Sequence, residues 1–148
     1  MILLADFNAE REEAVRREMK PKVLIIDDDV AVTQQLFWTL CEEFEVMTAN
    51  NLASAIRRAT IYEPEIAILD LHLPPTLDAP DTGLRILEYV KAHLPSSKVF
   101  VVSSAATVEQ QKDCIRRGAD GFLSKPLDVE HLLSTVRRTA LARRLEAA

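Results

Sequence analysis

From Lys22 onward, short β-branched apolar runs alternate with longer segments in which apolar residues recur at helical spacing. This alternation predicts strand–helix units arranged around a parallel sheet. The predicted strands are KVLII, EVMTA, EIAIL, KVFVV and GFLS, and the predicted helices lie near residues 31–43, 51–60, 82–94, 107–118 and 129–146. The strand segments 23–26 and 99–102 are continuously apolar, as expected for strands covered by helices on both faces. The pattern therefore predicts an α/β sandwich with a doubly wound, five-stranded parallel sheet.

The first residues of the chain do not follow this alternation. Residues 1–21 include the charge-dense, helix-favouring run AEREEAVRREMKP, which Pro21 stops before the first strand. We interpret this segment as an N-terminal helical extension or linker, with a solvated, frayed tail as the alternative. Residues 22–148 then form the main domain, whose last helix is extended by VRRTALARRLEAA, with apolar residues near heptad spacing.

Composition and charge narrow the range of functions. The chain has 148 residues, the size of one domain, and a formal net charge of −5, so no broad basic field favours direct nucleic-acid binding by this segment. Cys41 and Cys114 lack metal-ligand spacing, and we expect both to be small buried residues in a reducing compartment. No apolar run approaches the ~18 residues of a membrane span and no secretory pattern opens the chain, so we expect a cytoplasmic protein without membrane association.

Polar and charged residues follow the predicted strands where each strand ends. They are Asp27, Asp28 and Asp29 after the first strand, Asp70 after the third, Ser103 and Ser104 after the fourth, and Lys125 after the fifth. Ligands bind at the carboxyl edge of open α/β sheets, where the strand order reverses. With the common order 2-1-3-4-5, that point lies between the first and third strands, so Asp27, Asp28 and Asp70 are expected to share one crevice.

Carboxylates that converge in such a crevice repel one another unless cations compensate. A divalent metal ion and Lys125 would supply that positive charge. Hard oxygen ligands that leave room for water suit Mg²⁺, and we expect Asp28 and Asp70 to bind it directly and Asp27 to act through a bound water. Asp29 is expected to be only the N-cap of the following helix.

The runs LIIDDD, ILDLHLP, VVSSA and FLSKP, in this order and strand context, resemble the receiver domains of two-component response regulators over residues 22 to about 140. The resemblance implies a flavodoxin-like receiver fold and makes Asp70, followed four residues later by Pro74, the phosphoacceptor. It implies a cis peptide between Lys125 and Pro126, which would aim the lysine into the site. It also implies that the backbone carbonyl of His72 binds the metal.

In this family a phosphoryl group shifts a conformational equilibrium. By resemblance, Ser103 moves to bond a phosphoryl oxygen and Phe122, at the aromatic switch position, turns into the vacated space. The face formed by the last two helices and the fifth strand is then remodelled to control an output. The implied donor is a histidine kinase or a histidine phosphotransfer protein, and an output domain on the parent chain and homodimerisation are further expectations.

One loop departs from the family pattern. Gly83 lies thirteen residues beyond Asp70 (83 − 70), later than the family's glycine, so the loop 75–82, which contains Asp78 and Asp81, is interpreted as an insertion.

Two other functions stay open at the level of sequence. IIDDDV superficially resembles the opening motif of haloacid-dehalogenase-type phosphatases, which use an aspartate nucleophile, although Ala31 stands where that family places Thr or Val. A late acidic motif and a cap, which that family also needs, are not recognisable. The remaining alternative is a receiver-like binding module that is never phosphorylated.

Overall fold

A computed structural model describes residues 4–72, 81–104 and 107–147 of the chain. Within these segments, helices and strands alternate along the chain after an initial helix. The elements are α1 (Leu4–Met19), β1 (Lys22–Ile26), α2 (Val30–Leu40), β2 (Glu45–Ala49), α3 (Leu52–Tyr62), β3 (Ile66–Asp70), α4 (Thr82–His93), β4 (Lys98–Ser103), α5 (Val108–Arg116), β5 (Gly121–Ser124) and α6 (Val129–Ala147).

The five strands form one parallel sheet in the order β2-β1-β3-β4-β5, which confirms the predicted topology. In the register of β1 and β3, Ile26 lies beside Leu69, so the two chains leave these strands at the same level. In the register of β3 and β4, Asp70 lies beside Val102. The strand order reverses between β1 and β3, and this places the residues after β1 next to the end of β3.

Successive strand residues point to opposite faces of the sheet, and each face is buried under helices. One core joins strand residues such as Leu24, Leu69 and Val101 to buried side chains of α3, α4 and α5. The other joins Ile25, Ile68 and their neighbours to buried side chains of α2 and α6. Helices on both faces explain why the segments 23–26 of β1 and 99–102 of β4 are continuously apolar, as the sequence predicted.

The helix after the first acidic run begins where predicted and ends early. The side chain of Asp29 accepts hydrogen bonds from the backbone N–H groups of Ala31 (2.9 Å) and Val32 (3.4 Å), so the predicted N-cap is confirmed. The predicted helix 31–43 ends at Leu40, because the chain must turn to bury Phe44 in the core.

Two smaller expectations need correction. The third strand ends one residue later than predicted, since Asp70 itself pairs with β4. Cys114 is buried as predicted, but Cys41 is only half-buried because it lies at the C-terminal end of α2, beyond the buried stripe of that helix.

The N-terminal extension is helical in the structure, and all its side chains from residue 4 to residue 12 are exposed. Within the described segments, no helix combines the length and the apolar character that crossing a bilayer requires.

Candidate functional site

Three carboxylates meet at the carboxyl edge of the sheet, where β1 and β3 end. Asp27 and Asp28 follow β1, and Asp70 is the last residue of β3. One carboxylate oxygen from each lies within 4.8 Å of the other two. Asp27 and Asp70 are almost fully buried, whereas Asp28 is exposed. The predicted convergence of these three side chains is therefore what the fold produces.

Lys125 reaches the same crevice from the connection after β5. Its ammonium nitrogen lies 3.3 Å from Oδ2 of Asp27 and 3.3 Å from Oδ2 of Asp70. Its backbone N–H donates to the carbonyl of Ser103 at 3.0 Å, and the Lys125–Pro126 peptide is cis, as the resemblance implied. Lys125 thus bridges the two buried carboxylates.

Backbone N–H groups hold the two buried carboxylates in place from the other side. Asp27 Oδ1 accepts from the N–H of Asp29 at 2.9 Å, and Asp70 Oδ1 accepts from the N–H of His72 at 3.0 Å. Among the described residues, none donates a hydrogen bond to the carboxylate of Asp28. Asp28 therefore offers the least engaged oxygens of the cluster.

The ammonium group of Lys125 does not balance the negative charge of the three carboxylates in the site. Burial, together with the charge of Asp27, raises the pKa of the Asp70 carboxyl, and the His72 N–H and the Lys125 ammonium only partly oppose this. Burial lowers the pKa of Lys125, but the nearby charges of Asp70 and Asp27 outweigh that effect and raise it. Lys125 is therefore held in its charged form while Asp70 resists ionisation.

This arrangement fits a hard divalent cation. The donor set consists of carboxylate oxygens, which suit Mg²⁺, and the exposed position of Asp28 leaves the cluster open to water and to a further oxygen ligand. One cation at this position would also relieve the repulsion that raises the pKa of Asp70. The chemistry of the residues present is thus compatible with magnesium.

The switch residues implied by the resemblance lie close by. Ser103 is buried at the end of β4, and Phe122 is half-buried in β5, beside Val101 in the register. Sequence reasoning missed one contact: His72 Nε2 and Ser103 Oγ are hydrogen-bonded at 2.7 Å. The signal for it was the parallel pairing of β3 and β4, which places residues after Asp70 beside residues after Val102.

Some predicted features lie outside the described residues, namely Pro74, Asp78 and most of the inserted loop. The end of the loop is described: α4 begins at Thr82, and Gly83, its second residue, lies against the backbone of Leu71 just after β3. A Cβ atom on Gly83 would lie 2.5 Å from the carbonyl oxygen of Leu71, so the close approach of α4 to the strand end requires glycine.

Known proteins resemble this chain in both sequence and fold. The family model for the response regulator receiver domain matches residues 23–137. The transcriptional regulatory protein PrrA of Mycobacterium leprae is 34% identical over 125 residues, which are 84% of this chain and 51% of that protein. This chain thus spans about half the length of such curated relatives.

Solved structures agree with this assignment. The receiver domain of NtrX from Brucella abortus has 28% identity and a TM-score of 0.71, covering 80% of this chain and 97% of that one. A receiver domain protein from Methanospirillum hungatei has a TM-score of 0.78 at 24% identity, covering 86% and 98%, and so supports the fold. None of these comparisons supports the phosphatase alternative. The chain belongs to the family of response regulator receiver domains, the signalling modules of two-component systems.

Proposed function

We propose that Asp70 is the phosphoacceptor of this receiver domain. The observation that carries the proposal is the position of Lys125, whose ammonium nitrogen lies 3.3 Å from carboxylate oxygens of both Asp27 and Asp70. A phosphoryl group on Asp70 would lie beside the ammonium group of Lys125. Because Asp28 is exposed, an incoming phosphoryl donor can reach this edge of the sheet from solvent.

The reaction needs positioning more than acid–base chemistry. A carboxylate oxygen of Asp70 attacks phosphorus, a P–O bond forms, and the bond from phosphorus to the donor's nitrogen or oxygen breaks as the leaving group departs with the electron pair. Lys125 stabilises the charge that spreads over the phosphoryl oxygens. The His72 N–H, bonded to Asp70 Oδ1, orients the attacking carboxylate.

Mg²⁺ is the proposed cofactor. Asp28 and Asp70 are its proposed direct ligands, with the backbone carbonyl of His72 as a third, and Asp27 acts through water. When bound, the ion supplies a second positive clamp on the phosphoryl oxygens.

The same proposal includes a switch and its partners. Ser103 and Phe122 relay the phosphorylation state to the face formed by α5, β5 and α6. The donor is a histidine kinase or a phosphotransfer protein in the cytoplasm, and the output domain belongs to the parent chain, as the relatives named as transcriptional regulators suggest. Residues 1–21 act as an extension to a receiver domain of residues 22–148, and homodimerisation is a further part of the proposal.

Mass spectrometry after incubation with acetyl phosphate or phosphoramidate tests the phosphoacceptor. The wild-type chain should gain one phosphoryl group, and it should do so only when Mg²⁺ is present. Asp70→Asn should abolish the adduct, because an amide oxygen is not a competent nucleophile here.

Asp6→Asn is the matched control, since Asp6 is an exposed aspartate of α1 with no place in the site. It should be phosphorylated like the wild type. An adduct that persists in Asp70→Asn would assign the acceptor elsewhere, and no adduct in any chain would favour a receiver-like module that is never phosphorylated. Turnover of small phosphoesters would instead revive the phosphatase alternative.

A further inference from the structure

The contact between His72 and Ser103 joins the phosphoacceptor loop to the end of the neighbouring strand. His72 is exposed, whereas Ser103 is 2% exposed, and their Nε2 and Oγ atoms are 2.7 Å apart. We infer that His72 is a latch that holds the Ser103 hydroxyl in its resting position, and that this contact must break when Ser103 bonds a phosphoryl group on Asp70. The inference rests on the proposed function.

The backbone of Ser103 has little freedom of its own. On one side, the N–H of Leu71 donates to the carbonyl of Val102 at 2.9 Å, and on the other the N–H of Lys125 donates to the carbonyl of Ser103 at 3.0 Å. Because the carbonyls of Val102 and Ser103 are both held by these hydrogen bonds, the Ser103 hydroxyl moves mainly by rotation about χ1, which has three staggered positions. A partner that binds Oγ therefore selects one of these positions.

The chemistry of the contact opposes the move for either form of the imidazole ring. A serine hydroxyl has one proton to donate. If Nε2 accepts that proton, the hydroxyl cannot donate it to a phosphoryl oxygen at the same time. If Nε2–H donates instead, Oγ is still held against the ring, so its displacement breaks a hydrogen bond.

His72 also contacts the phosphoacceptor itself, because its backbone N–H bonds Asp70 Oδ1 at 3.0 Å. One residue thus touches both the group to be modified and the group that responds. A contact made in only one of two states shifts the equilibrium between them by its own net free energy. Its loss should therefore favour the phosphoryl-bound arrangement.

Calorimetric titration with beryllofluoride, a phosphoryl mimic, at saturating Mg²⁺ and one fixed pH measures this shift. His72→Ala should bind the mimic about two- to tenfold more tightly than the wild type, the range expected for one net hydrogen bond. The change should vanish when Ser103→Ala is already present, since the latch then has nothing to hold. His72→Gln, whose amide can replace the ring nitrogen, should restore much of the wild-type affinity.

His93→Ala is the matched control, because His93 ends α4 and therefore lies at the opposite edge of the sheet. Unchanged or weaker binding by His72→Ala overturns the latch. So does an equal gain in the Ser103→Ala background, which would mean that His72 acts by another route. If the wild type itself does not bind beryllofluoride, the proposed function fails and the latch with it; binding without a latch effect overturns the latch alone.

Discussion

Asp70 is a residue whose charge the folded protein disfavours. Burial and the charge of Asp27 raise its pKa above the ordinary value of 3.8, so the folded state binds the proton more tightly than the unfolded state does. Stability then falls as the pH rises through this raised pKa. The ionised form of Asp70 is therefore disfavoured until a bound cation or a phosphoryl group changes the charge of the site.

Asp70→Asn should therefore stabilise the metal-free protein at neutral pH. The free energy of unfolding, measured with urea in the presence of a chelator, should exceed that of the wild type. The difference should shrink as the pH is lowered, because the wild-type carboxyl then takes up a proton and is neutral as well. A difference that grows at low pH would contradict the raised pKa.

Lys125 would compete with the proposed Mg²⁺ for the carboxylate of Asp70. Lys125→Met removes a positive charge 3.3 Å from oxygens of Asp27 and Asp70, so Mg²⁺ should bind about tenfold more tightly or better, even though phosphorylation becomes slower. Isothermal titration with Mg²⁺ measures the affinity. Lys112→Met, at an exposed position of α5, is the control and should leave it unchanged. Weaker Mg²⁺ binding by Lys125→Met would place the ion away from these carboxylates.

At the scale of elements, the three consecutive aspartates after β1 have different roles. The side chain of Asp29 caps α2, whereas Asp27 and Asp28 face the other acidic residue of the site. Asp29→Ala should lower the free energy of unfolding by about 0.5–2 kcal/mol and Asp29→Ser by less, since serine also caps helices. Asp28→Ala should instead cause little loss of stability but a large loss of Mg²⁺ affinity. Urea unfolding and Mg²⁺ titration of all three variants test this division.

The junction of α4 with the end of β3 requires a residue without a side chain at Gly83. Alanine usually stabilises a helix by about 1 kcal/mol relative to glycine. Gly83→Ala should nevertheless destabilise the protein, because its Cβ would lie 2.5 Å from the carbonyl oxygen of Leu71, a backbone atom that cannot move freely. Thermal unfolding measures the effect, and the pair Arg57→Ala and Arg57→Gly, at an exposed position inside α3, is the reference for ordinary helix propensity. A rise in Tm for Gly83→Ala would show that α4 can move away from the strand.

For the whole molecule, hydrophobic periodicity together with the common doubly wound strand order predicted the architecture that the structure confirms. Apolar strands with helices on both faces led to the sheet, and the reversal between β1 and β3 led to the meeting of Asp27 and Asp70. Strand order places His72 near Ser103, but their hydrogen bond was not predicted, because it also depends on the rotamers of the two side chains. The end of α2 was misplaced because burial of Phe44 overrides local helix propensity.

The first part of helix α1, residues 4–12, lies outside the two cores. Leu4 is 75% exposed and Phe7 is 51% exposed, and neither core includes a residue of the segment 4–12, the part of α1 whose side chains the structure describes. The link into the sheet comes later, where the N–H of Glu45 donates to the carbonyl of Pro21 at 2.9 Å. Deleting residues 1–12 should therefore change the free energy of unfolding by less than about 0.5 kcal/mol, as for surface changes that touch no packed group.

Truncation before Arg143 provides the matched comparison at the other end of the chain. Arg143 in α6 donates to the carbonyl of Ser96 at 3.0 Å and lies 3.3 Å from a carboxylate oxygen of Glu65, so its removal should destabilise the domain measurably. Urea unfolding combined with sedimentation reports stability and mass for both truncated chains. A loss of several kcal/mol on deletion of residues 1–12, or a halving of the molecular mass, would mean that the side chains of Leu4 and Phe7 are covered in solution by a second copy of the chain.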